Sequence, residues 1–349
     1  MIFSSDNWAG AHPRIMEGLA RHAGGFSPAY GNSDLDKAVE AKFSDVFERD
    51  VAVFFVATGT AANSLAMASL AKPGGVVFAH REAHMIEDES GAPEYLTGGA
   101  RVKPVDGPLG RIDPALLDAA IPGPLTRVPH GGQPVAVSIT QSTESGTIYS
   151  LDEIAAIGAI AKKHGLPLHM DGARFANALV ALDTTPAEMT WKRGVDVLSF
   201  GGTKNGCWCA EAVVFMDPSA AEQFPYLRMR AGQLFSKSRF VAAQFEAYLA
   251  DGHWLTTARH ANAMAARLAD VLQNSNRMRL GWQPQANEVF AIMPVALMEE
   301  LTRKGVRFYG WTTPDVLKSE VAPDETLCRF VTSFATTEGD IENLAKNLR

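Results

Sequence analysis

Short apolar runs alternate with segments of helical composition through the first two thirds of the chain. These runs predict strands at 51–56, 76–79, 101–105, 134–140, 166–170 and 195–200. Polar residues mark several helix starts: Asp113 before Pro114 predicts an N-cap, and Ser150 with Glu153 predicts a capping box. Strands that alternate with helices are typical of an α/β fold, in which a parallel or mostly parallel sheet is flanked by helices.

The pattern changes after about residue 236. Two long helical segments, 236–250 and 253–273, are followed by short strand and helix segments. We therefore predict a large domain over 1–240 and a smaller C-terminal α/β domain over 241–349, joined through a helical connection. Two further segments predict irregular loops, 121–133 and 310–325.

Composition and charge narrow the class of protein. The 349 residues are 46% hydrophobic and 20% charged, which is ordinary for a globular enzyme, and the net charge is −7 without a basic run. Nucleic acid and anionic membranes are therefore not expected as partners. The three cysteines have neither disulfide-framework nor metal-ligand spacing, and the first ten residues lack the pattern of a signal peptide. We expect a cytoplasmic protein without a metal site.

Lys204 lies directly after the predicted strand 195–200, between Gly-Gly-Thr and Asn-Gly. A lysine presented on small residues at a strand exit suits an amine that reaches into a cleft and forms an imine with a carbonyl group. Thr203, beside it, is a candidate for contact with the same ligand. A surface lysine is the alternative, since most lysines lie in solvent.

Asp171 follows the predicted strand 166–170 and precedes Gly-Ala-Arg. Its carboxylate would stand at the carboxyl end of a strand, where the ligand sites of open α/β sheets lie. The alternative is an N-cap for a helix over 173–181, which is a common position for aspartate.

The turn Thr58-Gly59-Thr60 precedes a helical segment over 61–71 and predicts a phosphate cradle, because free N–H groups at a helix start attract an anion. An ordinary strand–turn–helix connection is the alternative.

His84 follows a short strand, and its flat ring can stack on an aromatic cofactor or move protons; a solvated histidine is the alternative. A lysine, a carboxylate, a phosphate cradle and a stacking ring together predict a site for pyridoxal phosphate (PLP), which acts as an electron sink.

Arg174 and Arg329 are candidates for binding a substrate carboxylate, since a guanidinium can fork onto two oxygens and lysine cannot. A surface position is equally compatible with each of them. The sequence contains no Gly-x-Ser-x-Gly elbow, Walker lysine or Gly-x-Gly-x-x-Gly fingerprint, so serine hydrolases and nucleotide-binding folds are not indicated.

These segments resemble one family, the threonine aldolases of the PLP-dependent fold-type I (aspartate aminotransferase) superfamily. The matching segments are 4–7, 30–31, 58–63, 84, 89–93, 169–174 and 327–332, so the resemblance covers nearly the whole chain. The segment around Lys204 is similar to that of a low-specificity bacterial branch of the family. Residues 141–144 are Gln-Ser-Thr-Glu, where other members carry Glu-Asn-Thr-His.

The resemblance implies that PLP is the cofactor and that the fold is that of the PLP-dependent transferases. Lys204 is expected to carry PLP, Asp171 to bind its ring nitrogen, and His84 to stack on its ring. Further cofactor contacts are expected from Thr58, Gly59, Thr60 and Thr203. Substrate contacts are expected from Ser5, Tyr30, Arg174 and Arg329.

The resemblance also implies a reaction. L-Threonine, L-allo-threonine and related β-hydroxy-α-amino acids such as phenylserine would be cleaved to glycine and an aldehyde. His84, or a water that it orients, is expected to take the proton of the β-hydroxyl group, and no second histidine is expected beside that group. A homotetramer built from dimers, with sites at the subunit interface, is implied as well.

Two other classes of function stay open. Another fold-type I enzyme, either a β-eliminating lyase or an aminotransferase, would share Lys204 and Asp171, so only the products can discriminate. A non-enzymatic regulator with a PLP-type fold is the second alternative, and the presence of Lys204 disfavours it.

Overall fold

A mostly parallel sheet forms the centre of the larger part of the molecule. The computed structural model describes residues 1–121 and 130–348, and within them the sheet has seven strands: β1 (Ala52–Val56), β2 (Val76–His80), β3 (Arg101–Val105), β4 (Pro134–Thr140), β5 (Leu168–Gly172), β6 (Val197–Gly201) and β7 (Glu211–Phe215). Their order in the sheet is β1-β7-β6-β5-β4-β2-β3. Strand β7 is antiparallel to β1 and β6, whereas the neighbours from β6 to β3 are parallel. The predicted α/β fold with a mostly parallel sheet is confirmed.

Helices cover both faces of this sheet. Those of the larger part are α1 (Pro13–Arg21), α2 (Asp34–Phe47), α3 (Gly59–Leu70), α4 (His84–Glu87), α5 (Ala92–Leu96), α6 (Pro114–Ala120), α7 (Leu151–Lys163), α8 (Phe175–Leu182), α9 (Pro186–Met189), α10 (Phe224–Arg230) and α11 (Arg239–Leu249). Alternate strand residues enter different cores: Phe200 packs with α2, α8 and α11, whereas Val197 packs with α3 and α10. The strands are therefore buried on both faces, which explains why they read as continuous apolar runs.

A second, antiparallel sheet follows. Its strands are β8 (Arg279–Leu280), β9 (Glu288–Pro294), β10 (Tyr309–Trp311) and β11 (Glu325–Val331), in the order β10-β11-β9-β8. The helices of this part are α12 (His253–Gln273), α13 (Val295–Arg303) and α14 (Glu338–Leu348). Helix α12 contributes Trp254 to the core of the first sheet and Leu268 to the core of the second, so one long helix joins the two cores. The predicted boundary at 240 stays a prediction.

The first residues of the chain pack with the second sheet. The backbone N–H of Phe3 donates to the carbonyl of Arg307 at 2.7 Å, and the N–H of Val331 donates to the carbonyl of Phe3 at 2.8 Å. The Phe3 ring is fully buried in the core of the second sheet. Residues 1–3 therefore pair with Arg307 and with the last residue of β11, and they lead directly to Ser5 and Asp6.

The two helix caps predicted from the sequence are present in the structure. Ser150 forms the predicted capping box with Glu153, and Asp113 caps α6 through the N–H groups of Ala115 and Leu116. The predicted loop 310–325 contains part of β10, and most of the predicted loop 121–133 lies outside the described residues. Across residues 1–121 and 130–348, every helix is too short or too polar to span a bilayer.

Candidate active site

A cleft of about 550 Å³ opens at the carboxyl ends of β4, β5 and β6 and reaches the start of α3 on one side and strands β10 and β11 on the other. It lies where ligands bind in open α/β sheets. Apart from Tyr30, the site residues predicted from the sequence line this cleft: Ser5, Thr58, Gly59, Thr60, His84, Asp171, Arg174, Thr203, Lys204 and Arg329.

Strand β5 places the carboxylate of Asp171 in the cleft. The side chain of Asp171 is buried; its Oδ2 accepts a hydrogen bond from Asn63 Nδ2 at 2.7 Å, and its Oδ1 accepts one from the N–H of Ala173 at 2.9 Å. Both donors are neutral groups. Helix α8 begins with Arg174 at its N-cap, so the alternative role of Asp171 as the cap of this helix does not hold. The structure leaves a buried carboxylate that is suited to a cationic ligand group.

A chain of hydrogen bonds connects Asp171 to His84. Asn63 Nδ2 donates both to Asp171 and to Glu89 Oε1, the latter at 2.8 Å, and the same Glu89 oxygen lies 2.8 Å from His84 Nδ1. The hydrogen bond to Glu89 raises the pKa of His84, although burial opposes this shift. Burial raises the pKa of Glu89. Asn63 thus fixes the positions of the imidazole and the carboxylate relative to each other.

Lys204 lies on a single 3₁₀ turn, Thr203–Asn205, between β6 and β7. The first residue of the turn donates its N–H to Glu211 Oε1 at 3.4 Å. The side-chain amide of its last residue donates to the hydroxyl of Tyr248 and the carbonyl of Trp254, both at 2.8 Å. Burial raises the pKa of Glu211 to about 7. The turn is anchored at both ends, which holds the lysine at the cleft.

The start of α3 offers free backbone donors. Thr58 is the N-cap, and its Oγ1 accepts a hydrogen bond from the N–H of Ala61 at 3.1 Å. The first N–H groups of a helix have no partner inside the helix, so those of Gly59 and Thr60 stay available. A Cβ atom added to Gly59 would meet no atom within 4 Å, so this end of the helix borders open space. Such a helix start can bind a phosphate group.

The two predicted arginines converge on one glutamate. Arg174 Nε and Nη2 donate to the two carboxylate oxygens of Asp6 at 2.8 and 3.2 Å. Glu288 Oε1 lies 3.5 Å from Arg174 and 3.4 Å from Arg329, and the Arg329 guanidinium lies 4.1 Å from the ring centre of Trp311. Burial would raise the pKa of Asp6, but the charges of Arg174 and Lys204 and the hydrogen bonds from Arg174 and Asn287 together outweigh burial, and the pKa is lowered. Both guanidinium groups are therefore held in place at the cleft before any substrate binds.

Tyr30 is not brought to the other predicted residues. Its side chain is 55% exposed, and its backbone N–H donates to the carbonyl of Ser236 at 3.1 Å. It does not line the cleft of its own chain.

The structure adds residues to the site that the sequence did not indicate. Glu144, Glu211 and Trp311 line the cleft, and Glu288 lies behind the two arginines. Glu144 follows β4 by four residues. Its position after a strand, the rule that pointed to Asp171, was therefore a usable signal. Glu288 is the first residue of β9 and has no comparable local signal.

Comparisons with known proteins are consistent with this geometry. The sequence profile described as "Beta-eliminating lyase" matches residues 3–295. The chain belongs to the beta-eliminating lyase family. Within this family, a low specificity L-threonine aldolase from a Pseudomonas species is 40% identical over 348 residues, which are 99% of this chain and 96% of that protein. The predicted resemblance to threonine aldolases is confirmed.

Solved structures of lyase-family and PLP-dependent proteins share the fold. A threonine aldolase from Leishmania major has a TM-score of 0.91 and 28% identity, with 99% of this chain and 98% of that chain covered. A serine palmitoyltransferase from S. paucimobilis, whose structure holds PLP, has a TM-score of 0.69 and 16% identity, with 100% and 86% covered. The second likeness concerns the fold alone, and it agrees with the predicted fold class.

Proposed function

We propose that this beta-eliminating lyase family member is a PLP-dependent aldolase that cleaves L-threonine, L-allo-threonine and related β-hydroxy-α-amino acids to glycine and an aldehyde. The observation that carries the proposal is the convergence of Lys204, Asp171 and His84 with two arginines in one cleft. The 40% identity to a low specificity L-threonine aldolase over 99% of the chain supports the choice of reaction.

The residues of the cleft fit PLP. The buried carboxylate of Asp171, which is bonded to neutral donors, matches a protonated ring nitrogen. The start of α3 matches a phosphate, with Thr58, Gly59, Thr60 and Thr203 as the cofactor contacts. Lys204 supplies the amine that links to the cofactor, and His84 supplies the ring that covers it. When bound, PLP supplies an electron sink for the pair of electrons that remains on the substrate α-carbon.

Two arginines are placed to bind the substrate carboxylate. We assign this task to Arg329 and Arg174, with Ser5 as a further donor at the same side of the cleft. Asp6 and Glu288 hold the guanidinium groups in fixed orientations, which reduces the entropy that substrate binding would otherwise cost. A fixed carboxylate also fixes rotation about the bond between the α-carbon and nitrogen, so the bond to be broken can be aligned.

We further propose that the protein is a cytoplasmic homotetramer built from dimers. Its three cysteines are free thiols, which suits a reducing compartment. Phe26 is fully exposed and Tyr30 is half exposed on the same segment, and such apolar side chains favour a subunit contact. Tyr30 would then contact substrate in the cleft of a neighbouring subunit. Light scattering of the purified protein measures the subunit number directly.

The deciding experiment is a product analysis. Protein loaded with PLP is incubated with L-threonine, and glycine, acetaldehyde, ammonia and keto acids are measured together. Aldolase activity gives equal amounts of glycine and acetaldehyde. Ammonia with a keto acid would instead indicate β-elimination, and an amino-group transfer product would indicate an aminotransferase.

A further inference from the structure

Glu144 lines the cleft, and it is not among the residues assigned to bind the cofactor or the substrate. It lies in the segment after β4, it lines the same cleft as His84 and Asp171, and only 8% of the residue is exposed. A glutamate is rarely buried unless its charge is paired or used. The charged groups that influence it include the carboxylate of Asp171, the ring of His84 and the guanidinium of Arg174. The described cationic side chains form their ion pairs with other carboxylates, Glu89 for His84 and Asp6 for Arg174.

The two carboxylate oxygens of Glu144 differ. Oε1 accepts a hydrogen bond from the backbone N–H of His84 at 2.8 Å. Oε2 is buried and has no hydrogen-bond partner among the described residues. An unpaired buried carboxylate oxygen costs free energy, and such groups in folded proteins usually have a ligand or a catalytic reason. Because Glu144 also lines the cleft, one of its carboxylate oxygens is left without a partner at the edge of the space that a substrate enters.

The proton affinities of Glu144 and His84 point to different tasks. Burial, with a further contribution from Asp171, raises the pKa of Glu144 to about 7. A carboxylate with such a pKa accepts a proton efficiently near neutral pH. The hydrogen bond to Glu89 raises the pKa of His84, so at a given pH a larger share of this ring is protonated and cannot accept a further proton. His84 is thus suited to covering the cofactor and Glu144 to removing a proton.

We propose that Glu144 is the general base that takes the proton of the substrate β-hydroxyl group through its free Oε2; this rests on the aldol cleavage proposed above. The O–H bond breaks, its electron pair forms the carbonyl of the aldehyde, and the bond between the α- and β-carbons breaks. The electron pair of that bond stays with the glycine fragment, which then takes up one proton at its α-carbon. Glu144 returns its own proton to solvent, so protons and electrons balance.

A second cavity gives this assignment a spatial basis. Its volume is about 670 Å³, and Glu144, Asp88 and Trp311 line both this cavity and the cleft. Glu144 therefore stands where the two spaces meet. The substituent on the β-carbon of a substrate would extend past Glu144 into the second cavity, and the aldehyde would leave through it.

The test compares wild-type protein with Glu144→Gln, both loaded with PLP. Glutamine keeps an oxygen for the N–H of His84 but cannot take a proton, so it separates the base from a positioning role. We expect kcat for L-threonine to fall by about 10²–10⁴-fold. The Kd for glycine, measured by calorimetry, should stay unchanged, because glycine has no hydroxyl group to deprotonate. Glu342→Gln, which removes an exposed charge on α14 at a residue that lines neither the cleft nor the second cavity, is the matched control and should keep wild-type kcat.

The possible results of this comparison separate the role of Glu144 from the aldolase activity itself. A fall of more than about tenfold in Glu144→Gln with unchanged glycine binding supports the assignment, and a smaller fall overturns it. Loss of glycine binding in step with kcat would make Glu144 a structural residue and would also overturn it. A wild-type protein that releases no aldehyde refutes the aldolase itself, whereas an active wild type with a fully active Glu144→Gln variant refutes only the role of Glu144.

Discussion

Replacement of Asp171 by asparagine tests the centre of the proposed site. The two oxygens of Asp171 accept hydrogen bonds from two different donors, Asn63 Nδ2 and the N–H of Ala173. Asparagine has one carbonyl oxygen, so its own NH₂ group must face one of these donors. Asn63 cannot relieve the conflict by turning its amide, because its Nδ2 also donates to Glu89. The change is nearly isosteric, but the hydrogen-bond pattern does not fit.

The expected effects differ in size for stability and for activity. A hydrogen bond to a charged group contributes about 1.5–3 kcal/mol, so loss of one should lower the free energy of unfolding of the PLP-free protein by that amount. The proposed partner of the Asp171 carboxylate is the protonated ring nitrogen of PLP. Two opposite unit charges about 4 Å apart attract by about 4 kcal/mol at an effective dielectric constant of about 20. Loss of the negative charge at Asp171 should therefore lower turnover of L-threonine by about a thousandfold, while the protein still folds.

Urea unfolding without PLP measures the first effect, and aldehyde release at saturating PLP measures the second. Asp113→Asn is the control, because Asp113 caps α6 through two N–H groups and asparagine caps a helix equally well. An unchanged unfolding midpoint in Asp171→Asn would contradict the hydrogen-bond argument. Turnover within tenfold of wild type would refute the cofactor role of Asp171.

Four further predictions follow from the site and the core. Lys204→Ala should abolish the visible absorbance of bound cofactor and nearly all cleavage, and a spectrum and rate like those of wild type would refute the PLP assignment. Arg329→Ala and Arg174→Ala should each raise KM for L-threonine and lower kcat, and unchanged kinetics in both would contradict the carboxylate site. Arg174→Ala should also lower the unfolding midpoint, because Asp6 then stays buried without its arginine partner. Burial lowers the pKa of His169 from 6.5 to about 4, so the unfolded chain binds a proton first as the pH falls. Between about pH 6.5 and 5, wild-type protein should therefore lose roughly 1.5 kcal/mol more unfolding free energy than His169→Gln, measured with urea, and equal losses would be the contrary result. Both L-threonine and L-allo-threonine should be cleaved and both D-isomers refused, as aldehyde release from the four separate isomers will show. The carboxylate and amine contacts fix the α-carbon, whereas Glu144 is a single proposed partner for the hydroxyl and residues 141–144 contain no histidine that would add a second contact. A D-isomer cleaved efficiently would contradict the fixed α-carbon.

Much of the central sheet could be predicted because its strands are buried on both faces and read as apolar runs. Strand β7 was missed. Its sequence, Glu-Ala-Val-Val-Phe, is short and starts with a charged residue that faces the cleft. Its antiparallel direction depends on pairing with β1 and β6, which are distant in sequence, so no local pattern reveals it.

The candidate site shows the same division between local and distant information. Asp171 and Lys204 each follow a strand, so their positions at the edge of the sheet could be inferred from the neighbouring residues. The partner of Arg174, by contrast, is Asp6, which is 168 residues away along the chain. The glutamate shared by the two arginines is on the second sheet. Such contacts arise only when the two sheets meet across the cleft.

The path of the first residues has a practical consequence for handling the protein. The chain enters the core of the second sheet with Phe3 and reaches the Arg174 guanidinium with Asp6 only three positions later. The amino group of Met1 lies 3.4 Å from the carbonyl of Gly305. A change within residues 1–6 would therefore disturb the backbone pairing with the second sheet and the ion pair of Arg174 together. This segment is best left unaltered when variants are prepared, because protein with a changed first segment can lose activity even though Lys204 is intact.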